Sequence, residues 1–267
     1  MAMVMVMVKT MTTVQIDCMN GLRTDLHTHI LPAFDDGAKD LETALQMLRV
    51  QKTSGVERVA LTPHFYPMHE VLDAFVARRQ QAYDALLSGY NGETMPQLLL
   101  GAEVRYTPQL TTLDLRQLTM GDGDYLLLEL PDTRVPAYVE QVVDAMQEQG
   151  ITPVLAHIDR CVYFQAEPFR LEKLIKMGAL AQIDAVALRN RHTAAFASAC
   201  FRTGLAHILA SDTHNLTDRA PCLGNLVTKR NAELLAWTEH FAENIWENTP
   251  PPAFGIHSLK KGLLGYR

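Results

Sequence analysis

Asp25-Leu26-His27-Thr28-His29 sets two imidazoles two residues apart near the start of the chain, and Asp212-Thr213-His214 repeats that spacing with a carboxylate and an imidazole near its end. Side chains alternate along an extended segment, so His27 and His29 point to one side and can grip one cation, and Asp212 and His214 can do the same. Between these pairs His64, Glu103, Glu129 and His157 each close a short apolar run. A lone histidine at a strand end is more often structural than a ligand. Here five of the ten histidines stand at such positions. The acids in Leu99-Leu100-Gly101-Ala102-Glu103 and Leu126-Leu127-Leu128-Glu129 sit in apolar surroundings, where an unpaired carboxylate is costly and a metal is the simplest partner. Asp35-Asp36-Gly37 is by itself a common turn. Asp36 is taken as a further ligand brought over the site, and Asp35 as a turn or capping residue.

Mixed imidazole and carboxylate donors suit manganese, iron or zinc better than calcium, and this many donors would hold more than one ion. Clustered ions activate water, which attacks phosphorus in line while the cations hold the non-bridging oxygens, so hydrolysis needs no protein nucleophile. If about three divalent ions met four carboxylates, roughly two positive charges would remain to attract an anion. Arg160, just past His157, and Arg219, just past His214, lie on loops over the same face and can hold phosphate oxygens in a fork.

The elements that must position these groups are apolar runs at 22–29, 56–64, 97–104, 125–130, 151–158, 179–184 and 205–214. Segments with helical spacing lie between them: Leu41, Ala44, Leu45 and Leu48; Val71, Leu72, Phe75, Val76 and Tyr83; Val139, Val142, Val143 and Met146; Phe169, Leu171, Leu174 and Ile175. Gly55, Gly150, Gly178 and Gly204 fall where a helix should stop and a strand begin. Repeated βα units predict an α/β fold with a parallel sheet, closed or nearly closed as a barrel, with an open doubly wound sheet as the alternative. In such barrels functional side chains gather at the C-terminal ends of the strands, where all the candidates stand.

The 267 residues are 48% apolar and 20% charged, without a Pro/Gly/Ser-rich linker, which favours one domain over 23–267 preceded by an extension over 1–22. A formal net charge of −6 argues against a broad nucleic-acid surface. Cys18, Cys161, Cys200 and Cys222 show no CxxC spacing and read as reduced thiols of a cytoplasmic protein. No apolar run is long enough to span or insert into a membrane. The opening Met1–Val8 run lacks the basic start of a signal peptide; it reads as a leader or a strand and carries no assigned function.

Taken together, Asp25-Leu-His27-Thr-His29-Ile-Leu-Pro, Asp35-Asp36-Gly37, Thr62-Pro63-His64, Gly101-Ala-Glu103, Ala156-His157-Ile-Asp-Arg160 and Ala210-Ser-Asp212-Thr-His214-Asn resemble the polymerase and histidinol phosphatase (PHP) superfamily. The nearest branch is that of the bacterial capsule and exopolysaccharide tyrosine phosphatases, and the likeness runs from about Arg23 to Thr249. The resemblance implies a distorted (β/α)7 barrel and three divalent ions, usually manganese or iron. The matching ligands are His27, His29, Asp36, His64, Glu103, Glu129, His157, Asp212 and His214, with Arg160 and Arg219 as phosphate-binding groups. It also implies phosphotyrosine on a bacterial tyrosine kinase as substrate. One departure is Ala181-Gln182-Ile183-Asp184, where the branch pattern is Gln-x-Asn; another is the extra length before the first motif. The distal Asp25 is expected to orient an imidazole from behind the ligands.

A cysteine-dependent phosphatase needs Cys, five residues and Arg, a spacing that no cysteine here has. Histidinol phosphate, or another small phosphomonoester, is the alternative substrate. A non-catalytic metal-binding scaffold is the reading from a different class. A polynucleotide phosphodiesterase would need a basic track, and Trp237 and Trp246 read as helix packing.

Overall fold

The computed structural model describes residues 22–226, 232–262, 265 and 266. The extension, with Cys18, lies outside the described residues except for Leu22, which is buried.

Each apolar run becomes a parallel strand or a pair of short ones. They are β1 (Thr24–Asp25), β2 (Arg58–Leu61), β3 (His64–Phe65), β4 (Gln97–Leu100), β5 (Glu103–Arg105), β6 (Tyr125–Glu129), β7 (Thr152–Leu155), β8 (Leu180–Asp184) and β9 (Ile208–Ala210). Pairing runs β1-β2-β4 in one sheet and β3-β5-β6-β7-β8-β9 in the other, parallel throughout. The result is an α/β fold with parallel sheets. Every residue of β6 and β8 is buried, which is why β6 reads as a near-continuous apolar run and does not alternate.

Two expected strands are interrupted. The run 56–64 breaks at Thr62-Pro63 and the run 97–104 at Gly101-Ala102. Proline has no N–H to give to a ladder, and glycine adapts where the backbone must bend. The breaks face each other and hydrogen bonding continues across them: Gly101 N–H donates to Leu61 O at 2.9 Å and Glu103 N–H to Pro63 O at 3.0 Å. The buried Arg79 covers the gap, donating to Gly101 O at 2.7 Å and Gln117 O at 2.8 Å. The breaks separate the two sheets and turn His64 and Glu103 onto the site side.

Helices α1 (Leu41–Thr53), α2 (Leu72–Ser88), α3 (Val139–Glu148) and α5 (Phe169–Lys176) follow the predicted apolar spacing, except that Val71 and Phe169 at the starts of α2 and α5 are exposed. α4 (Val162–Ala166) and α6 (Ala194–Thr203) lie outside the expected segments, and α7 (Ala232–Trp246) carries the two tryptophans. Asp40 caps α1 by accepting from Thr43 N–H at 2.8 Å. α6 ends at Gly204, whose φ of 72° and contact with Gly255 O, only 2.0 Å from where a Cβ would lie, admit no other residue without strain. The C-terminal helix is described from Ala232. Buried Glu239 ties it to the first strand, accepting from Arg23 N–H at 2.9 Å and Thr24 Oγ1 at 2.8 Å. Trp237 packs against Phe241, and Arg58 lies over Trp246, so both tryptophans serve packing. A short β10–β11 hairpin (Lys261–Gly262 with Gly265–Tyr266) follows. Cys161, Cys200 and Cys222 are free thiols. Among the described residues no helix is long and apolar enough to cross a membrane.

Candidate metal centre

The strand ends bring all of the predicted donors to one place. His27 Nε2 and His29 Nε2 lie 3.1 Å apart, and each stands 3.3 Å from Glu103 Oε2. Asp212 Oδ1 faces the same two imidazoles at 3.4 and 3.5 Å. His64 Nδ1 approaches Glu103 Oε2 to 2.9 Å, and its Nε2 is 3.3 Å from Asp36 Oδ1, which lies at the same distance from His214 Nε2. His157 Nε2 meets Glu103 Oε1 at 2.8 Å and Glu129 Oε1 at 3.9 Å. Three overlapping groups have donor atoms close enough together to share an ion: His29, Asp36, His64 and His214; His27, His29 and Glu103; His64, Glu103 and Glu129.

Several of these atoms have no hydrogen bond although they are buried: His64 Nδ1, Glu103 Oε2, Glu129 Oε2, His157 Nδ1, Asp212 Oδ1 and His214 Nε2. Burying such groups unpaired costs roughly 1–3 kcal/mol each, more for the carboxylates. The donors crowd toward shared centres, touching one another there, and a set of imidazoles and carboxylates arranged this way fits divalent cations of the manganese, iron and zinc type.

The local chain explains how each donor arrives. Asp212 N–H donates to His27 O at 3.0 Å and His29 N–H to Thr213 O at 2.9 Å, so the first and last motifs are joined directly, with a parallel bridge between Thr28 and Thr213. His157 and Asp212 both carry positive φ, 28° and 51°, a costly backbone state that swings each side chain back over the strand ends. Gly37 packs so tightly on His29 that a Cβ would lie 2.0 Å from its carbonyl oxygen; that contact holds the Asp35-Asp36 turn over the cluster.

Supporting residues partly depart from expectation. Asp25 orients no imidazole. It accepts from Ser211 N–H (3.1 Å), Ser211 Oγ (2.5 Å) and Gln51 Nε2 (2.6 Å), cross-linking the first strand, α1 and the last strand. Burial raises its pKa, against these hydrogen bonds. The imidazole-orienting carboxylate is Asp35, taken from the sequence as a turn residue: its Oδ2 accepts from His29 Nδ1 at 2.8 Å and from His64 N–H at 3.0 Å. Gln182 was noted only as part of a motif. Its Oε1 accepts from His157 N–H at 2.6 Å and lies 3.3 Å from His27 Nδ1, so His27 presents Nε2 to the centre. His214 does likewise, because its Nδ1 donates to Asp212 O at 2.9 Å. Arg105, 2.7 Å from Glu129 Oε1, was also missed. A polar residue within the otherwise apolar start of Leu180–Asp184 was the signal for Gln182; Asp35 stood out only as the neighbour of Asp36, and for Arg105 nothing local stood out.

Burial and the neighbouring acids pull the imidazoles in opposite directions. Burial presses the His29 imidazole toward neutrality, but hydrogen bonds to Asp35 and Glu103 outweigh it and raise its pKa to about 10. The same contest, with Glu103 as the partner, raises His157 to about 9. Burial and the neighbouring His29 charge lower His214 to about 4.

Both predicted arginines reach the cluster's edge. Arg160 donates from Nε (2.9 Å) and Nη2 (2.6 Å) to Asp184 Oδ2, and from Nη2 to Asp212 Oδ2. Arg219 Nη2 donates to the same Asp212 oxygen at 2.6 Å. About a third of each arginine side chain remains exposed. A buried cluster of metal-donor side chains with two part-exposed guanidinium groups on its rim has the chemistry to bind and polarise a phosphate monoester.

The family model for capsular polysaccharide synthesis, CpsB/CapC, matches residues 23–244. The chain belongs to the CpsB/CapC family. Among curated relatives, tyrosine-protein phosphatase YwqE of Bacillus subtilis (strain 168) is 34% identical over 201 residues, covering 73% of this chain and 78% of the relative. Putative tyrosine-protein phosphatase CapC of Staphylococcus aureus is 28% identical over 212 residues, covering 77% and 82%. A solved structure from work on YwqE of Bacillus subtilis and CpsB of Streptococcus pneumoniae, described there as unique metal-dependent tyrosine phosphatases, superposes with a TM-score of 0.78 at 27% identity, over 89% of this chain and 99% of that one. These CpsB/CapC relatives bear out the resemblance to the capsule phosphatases read from the motifs.

Proposed function

We propose that this chain is a metal-dependent protein-tyrosine phosphatase that hydrolyses phosphotyrosine on a bacterial tyrosine kinase controlling capsule or exopolysaccharide synthesis, in the cytoplasm. The observation that carries the reading is the convergence of buried, unpartnered imidazole and carboxylate atoms beside two arginines that meet on Asp212. Membership of the CpsB/CapC family and the tyrosine-phosphatase names of the relatives support the substrate class. The scaffold is a single domain over 23–267, a distorted (β/α)7 barrel in which the Thr28–Thr213 bridge brings the first and last units together.

His27, His29, Asp36, His64, Glu103, Glu129 and His214, which fall in the three donor groups, with His157 and Asp212, which stand against Glu103 and the first two imidazoles, would hold three divalent ions, with manganese preferred and iron or zinc as the other fitting metals. Bound divalent ions supply the Lewis acidity that activates water and offsets phosphate charge. The protein's own part is geometric. Asp35 and Gln182 fix the imidazoles of His29 and His27 with Nε2 toward the centre. Arg160 and Arg219 bind the phosphate oxygens at the rim and orient the ester for in-line attack.

The test is hydrolysis of a phosphotyrosine peptide and of histidinol phosphate by manganese-loaded protein, with and without chelator, repeated for His27→Ala and Arg160→Ala. Chelator-sensitive hydrolysis of the peptide, lost in both variants, is the expected result. Chelator-insensitive activity would overturn the metal reading, and preference for histidinol phosphate would overturn the substrate.

A further inference from the structure

Arg160 is held by more than the cluster needs. Of its two carboxylate partners, Asp212 also turns an oxygen to the imidazoles, whereas the side chain of Asp184, among the described contacts, meets none of the candidate donors and takes both Nε and Nη2 of Arg160 on one oxygen. Asp184 is buried, with its side chain 3% exposed, while that of Arg160 is 37% exposed. Burial alone would disfavour the guanidinium charge, and the charges of Asp184 and Asp212 reverse that and raise its pKa. The other oxygen of Asp184 accepts from Gln182 Nε2 at 3.0 Å, and Gln182 in turn holds His27 and the backbone of His157. One buried carboxylate therefore ties the phosphate-facing arginine to the support of the ligands.

We infer that Asp184 is a positioning residue that sets phosphate affinity: it holds Arg160 at the rim and competes with the substrate's phosphate for that guanidinium, without touching substrate itself. This rests on the reading of the cluster as a phosphomonoester site. A phosphate dianion can draw Arg160 forward only by replacing hydrogen bonds the guanidinium already makes, so part of the attraction is cancelled. Arg219 has no such second anchor among its described contacts; its Nη1 lies 3.8 Å from the exposed Asp36.

Asparagine at 184 separates the two roles. One side-chain oxygen remains to accept from Gln182, while the amide nitrogen cannot accept from Arg160. Asp184→Ala removes both contacts. The experiment titrates inorganic phosphate by calorimetry into full-length, manganese-saturated wild type, Asp184→Asn, Asp184→Ala, Arg160→Ala and the Asp184→Asn/Arg160→Ala double variant. Metal content and KM and kcat on a phosphotyrosine peptide are measured in parallel.

Asp184→Asn is expected to bind phosphate about three- to tenfold more tightly, the scale of one partly solvated charge-assisted hydrogen bond. KM should fall in step and kcat should not rise. With metal in excess, Asp184→Ala should also tighten phosphate, and it should lose metal more readily on dilution because Gln182 is no longer anchored. The gain must vanish in the Arg160→Ala background, as a double-mutant cycle requires if the effect passes through that guanidinium. Unchanged or weaker phosphate binding in Asp184→Asn overturns the inference, and so does an equal gain without Arg160. If wild type binds phosphate but hydrolyses no monoester, the catalytic reading falls while the phosphate titrations still decide the role of Asp184.

Discussion

Oδ2 of Asp35 accepts a hydrogen bond from Nδ1 of His29 at 2.8 Å, and that contact settles which nitrogen His29 turns toward Glu103 and Asp212. An imidazole donating through Nδ1 has its Nε2 lone pair free, the state a cation requires. Asp35→Ala should therefore lower metal affinity by about 10–100-fold, the range for carboxylates behind histidine ligands. Asp35→Asn, which keeps an acceptor, should lose less. Metal titration monitored by calorimetry, with far-UV circular dichroism as a control for folding, checks this. Wild-type affinity in Asp35→Ala would show that the hydrogen bond is incidental.

The gathering of most candidate donors was legible because each closes an apolar run, and parallel strands deliver their C-terminal ends to one face whatever their exact lengths. What the pattern could not give is anything that depends on a turn's path. Asp35 and Asp36 are adjacent with the same chemistry, yet the turn sends Asp35 back to His29 and Asp36 across to His64 and His214. Asp25 shows the opposite error. Its place in the motif suggested an imidazole partner, but the short β1 aims it at Ser211 and Gln51. The interrupted strands were hidden for a related reason: Thr62-Pro63 and Gly101-Ala102 stay apolar enough to read through, and only their face-to-face placement makes them a break.

Metal uptake should be coupled to proton release. With pKa values raised to about 10 for His29 and about 9 for His157, both imidazoles are protonated at neutral pH in the metal-free protein and must lose those protons to ligate. Apparent metal affinity should rise from pH 6 to about pH 9, and calorimetry in buffers of different ionisation enthalpy should detect the released protons. The metal-free fold follows the reverse trend. A raised folded pKa gives stability that is fully present below the unfolded value of about 6.5 and is lost as pH rises through about 9 and 10. A pH-independent metal affinity would contradict this account.

His207 carries the acid response of the core. It is fully buried among Phe241 and Phe254, its Nδ1 accepts from Ala181 N–H at 3.1 Å, and its Nε2 has no partner. Burial lowers its pKa to about 3. A depressed folded value means that its contribution is complete above about pH 6.5 and is lost as pH falls through about 3, because the unfolded chain takes up the proton first. His207→Phe should be less stable than wild type at pH 7 by about 1–3 kcal/mol, since Ala181 N–H is left unpaired. The difference should shrink by pH 4.5, and urea denaturation at the two pH values would show it. A gap that widens in acid would exclude His207 as the responsible group.

Gly37 offers a way to disturb the centre without touching a donor. A Cβ there would lie 2.0 Å from the carbonyl oxygen and 2.6 Å from Cβ of His29, so Gly37→Ala must push the turn away from the strand end. The turn is pinned on either side by Ala38 N–H donating to His29 O at 3.0 Å and Ala33 N–H to Ala38 O at 2.7 Å, which leaves little room to yield. Overpacking of this kind costs about 1–3 kcal/mol. The displacement carries Asp35 away from His29 and Asp36 away from His64 and His214 together. Gly37→Ala should thus weaken metal binding at least as much as Asp35→Ala, besides lowering the unfolding midpoint of metal-free protein. If it lowers the midpoint but leaves metal affinity at the wild-type value, the turn is free to re-seat its carboxylates, and the close contact with His29 serves stability alone.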